Sequence, residues 1–357
     1  MEKMEKRCFV FKPDGIGDFI LASGVFRLLA REFGEENLIL AVLPVMGPVV
    51  RGQFPKATAV LLPLKTKREI LNLFAANSLR CFFPWLKLLR TRVEVSISLR
   101  NMRDYLQNFL YFSVRSPTRL LCHNLLLGNG RPVRQWTEKA MTLLFRPKVV
   151  DYPTSSHGIP SELEAHRLLV SKALQRPVGI QEIWPELKPV ASPPVPLPYW
   201  VCAPFSSGAE KDFPLDRWGG LFANLHHQGR LPSLILTGSL PQQPALEDFQ
   251  KTLASTSATL GEVTRIIIPE TLQDFIDLLA GAECVMTVDT AAAHAATALD
   301  NRTLILFSGK HKGMFAPWRR SLRQVWLEPK QQPNGSPWHI HHSDEEILTL
   351  ATSVLDS

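Results

Sequence analysis

The sequence predicts an α/β protein of two units, each a parallel sheet wound on both faces. Three observations carry that expectation. Short apolar runs suited to buried parallel strands alternate with segments of helical apolar spacing, in both halves of the chain. Six prolines fall between Pro185 and Pro198, a density that makes an extended, semi-rigid connection. A length of 357 residues exceeds what one hydrophobic core ordinarily serves. The expected division is residues 1–184, a linker over 185–198, a second unit over 199–340, and a terminal helix over 341–357 that packs back on the first unit.

The first half opens with an apolar strand, Cys8 to Phe11, broken by Asp14-Gly15-Ile16-Gly17. Glycine accepts backbone angles that a chiral residue avoids, so Gly15 and Gly17 read as the turn. Asp18 then opens a helix with apolar residues Phe19, Ile20, Val25, Leu28 and Leu29 at helical spacing. An acid there either caps the first turn and meets the positive end of the helix, or serves chemistry at the carboxyl end of the first strand. Leu38 to Leu43 reads as the second strand and Ala59 to Leu62 as a third. From Lys65 to Arg92, basic residues cluster at both ends of an aromatic stretch containing Phe82, Phe83 and Trp85. That pattern fits a helix pair on an anionic membrane surface, and equally a set of core aromatics flanked by lysines; Pro84 breaks any single long helix. Val93 to Leu99 alternates as a strand does, Arg100 to Arg134 carries no specific signal, and Glu162 to Leu174 is an amphipathic helix.

The second half repeats this grammar. Strands are expected at Tyr199–Ala203, Leu234–Thr237, Arg265–Ile268, Cys284–Val288 and, last, Thr303–Phe307. Helices are expected at Leu215–His227, Pro244–Leu253, Leu272–Ala280 and from Ala291 onward. Short loops between them mean parallel neighbours.

Composition narrows the function. Residues 1–150 carry 24 Lys and Arg against 11 Asp and Glu (+13), and the remainder 16 against 22 (−6). A basic first half attracts a polyanion: nucleic acid, anionic lipid or a phosphorylated substrate. Nucleic-acid binding would need aromatics interleaved on a basic face, and only the charge is present. No apolar stretch is long enough to span a bilayer, and the amino terminus does not read as a signal peptide. Five scattered cysteines without a CxxC pair fit a reducing cytoplasm and neither a disulfide framework nor a zinc site. No DxD or HExxH occurs, His339, His341 and His342 form a weak terminal tract, and no metal or other cofactor is expected. A dinucleotide fingerprint fails at Ile20, where the third glycine would stand.

Two loops of the second half carry chemistry. Ser206, Ser207 and Lys211 follow a strand, and hydroxyls with one lysine make a phosphate cradle, although no P-loop is spelled. Asp289-Thr290-Ala291-Ala292-Ala293-His294 starts a helix whose cap is Asp289 or Thr290, with small residues leaving its first amides open to an anion. His294 is either packed among the alanines or functional.

GIGDF near the amino terminus, SSGAEKDFPLDRW after the linker and VDTAAAHAATAL near residue 290 together resemble glycosyltransferase family 9, from about residue 8 to 318. Its best-known members are the ADP-heptose:lipopolysaccharide heptosyltransferases. The resemblance implies a GT-B fold, with two Rossmann-like domains facing each other across a cleft, and metal-independent, inverting transfer. It implies that Asp18 is the general base and that Lys211 binds the donor diphosphate, with Ser206 and Ser207 near the same phosphates. Asp289, Thr290 and His294 match the family's DTGxxH motif; Ala291 replaces its glycine, beside Ala292. Gln242 falls where heptosyltransferases carry a ribose-binding glutamate. The implied donor is a nucleotide sugar, ADP-heptose foremost, and the implied acceptor is an acidic or phosphorylated glycolipid at the inner face of the cytoplasmic membrane. Another nucleotide sugar, or a non-catalytic polyanion-binding protein, are the competing readings.

Overall fold

The computed structural model describes residues 6–64, 80–123, 132–151, 161–310, 312–318, 320–329 and 337–356. The chain forms two compact units: Met1–Pro185 with Gly313–Phe315, and Glu186–Lys312 with Ala316–Ser357. Each contains one six-stranded sheet whose neighbours are all parallel.

In the first unit the strands are β1 (Cys8–Phe11), β2 (Leu38–Val42), β3 (Thr58–Leu61), β4 (Val95–Ser98), β5 (Thr118–Cys122) and β6 (Lys148–Val150), in the order β3-β2-β1-β4-β5-β6. In the second they are β7 (Trp200–Ala203), β8 (Leu234–Thr237), β9 (Thr264–Ile267), β10 (Cys284–Val288), β11 (Thr303–Leu306) and β12 (Gln324–Leu327), in the order β12-β11-β10-β7-β8-β9. The two orders are the same pattern read from opposite ends. In each sheet the first and fourth strands lie side by side at the centre, where the winding reverses direction and a crevice opens at the carboxyl ends.

The central strands are fully buried and therefore spelled as apolar runs, such as Cys8–Phe11 and Cys284–Val288. β5, β6 and β12 lie in stretches where no strand was expected. β6 is an edge strand of three residues that begins with an exposed lysine, and β12 follows the strand expected to be last. Phe9, Phe11 and Tyr111 build the first core, and Trp200, Trp218, Phe222 and Phe249 the second.

Local chemistry sets several boundaries. Helix Tyr105–Phe112 starts in a capping box between Asp104 and Gln107, inside the stretch that carried no signal. Helix Glu162–Leu174 runs over the expected residues, with Ser161 accepting from the Glu164 amide at 3.5 Å. Pro84 occupies the first turn of helix Phe82–Arg90, where its missing N–H costs nothing, so a helix begins just ahead of it. Within that helix Phe82 and Phe83 are exposed, whereas Leu88 is buried and the Trp85 indole donates to Ser113 Oγ at 3.0 Å. Residues 65–79 of the basic aromatic stretch lie outside the described residues.

Two expectations are corrected. The terminal helix, Asp344–Asp356, packs into the second unit against helix Leu215–His227 and against β11 and β12, because Ile347, Ala351 and Val354 face that core. The turn after β1 needs no special glycine angle. Gly15 is extended (φ −62°, ψ 167°), Gly17 lies inside helix Ile16–Leu21, and neither is among the residues of positive φ. Gly24 is required for a different reason: a Cβ there would stand 2.2 Å from the Ile183 carbonyl oxygen and 2.3 Å from that of Trp184.

Candidate active site

In the second unit β7 and β10 are adjacent, so the loops that leave their carboxyl ends meet. The loop after β7 folds on itself. The Ser206 hydroxyl donates to the Gly208 carbonyl at 2.6 Å and accepts from the Gly208 amide at 3.1 Å, and the Ser206 amide donates to Asp212 Oδ1 at 2.7 Å. Ser207 is exposed at the loop's tip. A 3-10 turn, Ala209–Lys211, then carries the lysine back toward β10. Lys211 Nζ lies 3.1 Å from Asp289 Oδ2 and 3.4 Å from the Asp289 carbonyl oxygen, with side-chain exposures of 18% and 8%.

Thr290 is the N-cap residue of helix Ala291–Ala298, but neither it nor Asp289 makes a side-chain capping bond. The capping expected of one of them is absent, and the Asp289 carboxylate is turned to Lys211 instead. Ala291 and Ala292 therefore present the helix's first amides and the positive end of its dipole next to that ion pair. His294, one turn on, is buried at 6% exposure. Its Nδ1 accepts from the Trp318 indole N–H at 3.0 Å, with the two rings 6° from parallel. Trp318 is itself held, its carbonyl oxygen accepting from the Trp326 indole at 2.8 Å. Burial pushes the His294 imidazole down to about 4; Asp289 opposes that shift and Lys211 adds to it. Gln242 is engaged locally: its amide oxygen accepts from the Ser239 amide and hydroxyl, both at 2.9 Å, and its Nε2 donates to the Ser206 carbonyl at 3.4 Å. It fastens the turn after β8 to the loop after β7.

In the first unit Asp18 stands in the first turn of helix Ile16–Leu21, half-buried and downstream of β1. It is the third residue of that helix, not its opening residue, and Gly15 is the N-cap. At the carboxyl ends of β1 and β4 lies a buried polar cluster that the sequence did not announce. Lys12 Nζ donates to Glu162 Oε1 at 2.6 Å and to the Leu99 carbonyl at 3.1 Å, and lies 3.0 Å from Asp14 Oδ2 as an ion pair. Asp14 also pairs with Arg100, whose Nε donates to Gln107 at 2.6 Å; burial lowers that guanidinium to about 10. Asn101 donates to the second Glu162 oxygen, and His166 Nε2 lies 3.1 Å from the first. Burial alone would raise the Glu162 carboxyl, but Lys12 and His166 reverse the sign and hold it well below the carboxylate range. The legible trace of this cluster was Glu162 and His166, one turn apart on the same helix face.

Among the described residues no group of three His, Cys, Asp or Glu side chains comes close enough to hold a metal ion. The terminal histidine tract is structural instead: Arg217 donates to the carbonyls of His339 and His342, and His342 Nδ1 lies 3.1 Å from Glu346.

Residues 131–338 match the family model for glycosyltransferase family 9 (heptosyltransferase), more than half of the chain and all of the loops after β7 and β10. The chain belongs to glycosyltransferase family 9. It is a glycosyltransferase, and its paired doubly wound sheets are the GT-B fold. Solved structures agree on the fold. E. coli heptosyltransferase WaaC with ADP superposes with a TM-score of 0.71 at 14% identity, covering 98% of this chain and 99% of that one. The same enzyme with ADP-2-deoxy-2-fluoro heptose gives 0.68 at 15%, covering 97% and 99%. E. coli ADP-heptose lps heptosyltransferase II gives 0.66 at 16%, covering 98% of both. No curated protein sequence matches the chain.

Within this family member, Lys211, Asp289, Thr290, Ala291, Ala292 and His294 share one edge of the second sheet, joined there by Gln242 and Ser206 through the loop after β7. Trp318 belongs to the same edge and was not anticipated, since a lone tryptophan after a proline carries no motif. Asp18 belongs to the corresponding edge of the first sheet. Among the described residues no helix is long and apolar enough to cross a membrane.

Proposed function

We propose that this family 9 glycosyltransferase moves a heptose from ADP-heptose to an acidic glycolipid of the lipopolysaccharide core type, with inversion and without a metal. The observation that carries the reading is the Lys211–Asp289 pair at 3.1 Å, set against an uncapped helix start. An ammonium and free amides on one sheet edge are what a leaving diphosphate requires. ADP in the WaaC structures supports adenine as the nucleobase. Gln242, an amide fastened to its own loop, is the feature that would admit another nucleotide.

The reaction follows from charge. The acceptor hydroxyl oxygen attacks the anomeric carbon, and the bond from that carbon to the diphosphate oxygen breaks. The diphosphate leaves with the electron pair. Asp18 takes the hydroxyl proton, a contribution of roughly 10²–10⁴-fold. Lys211 and the amides of Ala291 and Ala292 meet negative charge as it grows on the leaving group, which favours the transition state over the ground state. The basic first half, with Phe82 and Phe83 exposed beside Lys87 and Arg90, favours an anionic acceptor and the inner face of the cytoplasmic membrane.

Calorimetry with ADP, UDP, GDP and TDP, followed by transfer assays with the matching heptose and hexose donors, tests the reading. ADP binding abolished by Lys211→Ala, and transfer abolished by Asp18→Asn with ADP binding kept, is the expected result. Full transfer by Asp18→Asn rejects the base, loss of transfer on chelation rejects metal independence, and preference for UDP rejects the donor.

A further inference from the structure

We infer that Trp318 is a positioning residue that fixes the tautomer of His294, so that His294 presents Nε2–H to the donor. The inference rests on the donor-site reading for its functional half only. An indole nitrogen is a donor and nothing else. Its contact with Nδ1 at 3.0 Å therefore requires a lone pair on Nδ1, and a neutral imidazole must then carry its proton on Nε2. The ring is held neutral by burial, so one tautomer persists across the physiological range.

The geometry behind the contact is over-determined. The His294 and Trp318 rings lie 6° from parallel with centroids 6.3 Å apart, edge to edge as their hydrogen bond requires, and Trp326 approaches the imidazole with its centroid at 6.2 Å. Trp326 also anchors the Trp318 backbone through its own indole N–H and packs edge-on against Phe307. A chain of contacts thus runs from β12 through two tryptophans to one imidazole nitrogen. Among the described residues His294 Nε2 has no hydrogen-bond partner, and it is the ring nitrogen directed away from Trp318. His294 lies one turn into the helix that Thr290 caps, and the Lys211–Asp289 pair stands immediately before that cap, so the imidazole belongs to the same sheet edge. A neutral donor there can bond a diphosphate or sugar oxygen without adding to the cation, and it keeps its proton as the leaving group charges.

The test is Trp318→Phe, which keeps an aromatic ring against His294 while removing the indole N–H along with part of the ring. Nitrogen-15 spectra of histidine-labelled protein at pH 7 read the tautomer directly. The wild type should show His294 protonated on Nε2 and unprotonated on Nδ1; Trp318→Phe should show a mixture or the reverse tautomer. ADP affinity should fall about tenfold in Trp318→Phe, the loss expected for one hydrogen bond to a charged group. In a His294→Ala background the same tryptophan change should cost nothing further, because Trp318 acts through the imidazole. An unchanged tautomer in Trp318→Phe, or equal and additive losses of affinity in the two backgrounds, overturns the inference. Wild-type protein that shows the expected tautomer yet binds no ADP rejects the donor site and leaves the tautomer lock standing.

Discussion

Removing Lys211 should do two separable things, and the structure gives the size of one of them. At 3.1 Å the attraction between Lys211 and Asp289 is about 5 kcal/mol with an effective dielectric of 20. Desolvation of two mostly buried groups offsets more than half of that, leaving a coupling of about 2 kcal/mol. Lys211→Ala strands the Asp289 carboxylate at 8% exposure, so it should destabilise the second unit by about 2–3 kcal/mol. Asp289→Asn in the same chain removes the stranded charge and should recover most of the loss. Donor affinity should not recover, because the cation that meets the diphosphate is still missing. Urea denaturation followed by tryptophan fluorescence reads the first quantity, and calorimetry with ADP the second. Trp200, Trp218, Trp318, Trp326 and Trp338 all report on this unit. Additive stability losses in the double variant would refute the pairing argument. ADP affinity restored by Asp289→Asn would refute the assignment of Lys211 to the diphosphate.

Three further outcomes are expected. Glu162 is held below the usual 4.5, so the unfolded chain takes up a proton first: stability of the first unit should be steady above about pH 5.5 and fall as pH drops below 4.5, and Glu162→Gln should flatten that limb while costing about 3 kcal/mol at pH 7 in urea titrations. Gly24→Ala should destabilise by about 3 kcal/mol or more in the same assay, since its methyl would meet two backbone oxygens that cannot rotate away; a neutral result would contradict the close approach. His294 should titrate near 4 in proton NMR rather than near 6.5, and acidification through that window should cost the second unit about 3 kcal/mol that His294→Gln does not lose.

What the sequence disclosed follows burial. The central strands β1, β2, β7, β8 and β10 are hidden on both faces, so nothing but an apolar run could encode them, and they were legible. β5, β6 and β12 set Arg119, Lys148 and Gln324 beside only two or three apolar residues each, too short a run to stand out from its surroundings. At the site, the order of loop residues gave Lys211, Asp289 and His294 because one short segment after a strand suffices to hold them. The Lys12–Asp14–Arg100–Glu162 cluster escaped because its members come from three separate segments, and only the fold shows that their charges cancel. Gln242 and Ser206 were read as ligand groups from their types; their hydrogen bonds within and between loops could not be read that way.

The strand order has a consequence for how the chain must be made. In each sheet the strand synthesised first ends in the middle, and one of its two flanks arrives only much later: Cys8 pairs with Val95, and Trp200 with Cys284. An emerging chain therefore exposes a wholly apolar strand edge for about half of a unit's translation before its partner leaves the ribosome. Such delayed pairing is slow and invites association with neighbouring chains. Chaperone demand in the cell, and yield on expression at high temperature, should be governed by that wait more than by the stability of the finished molecule.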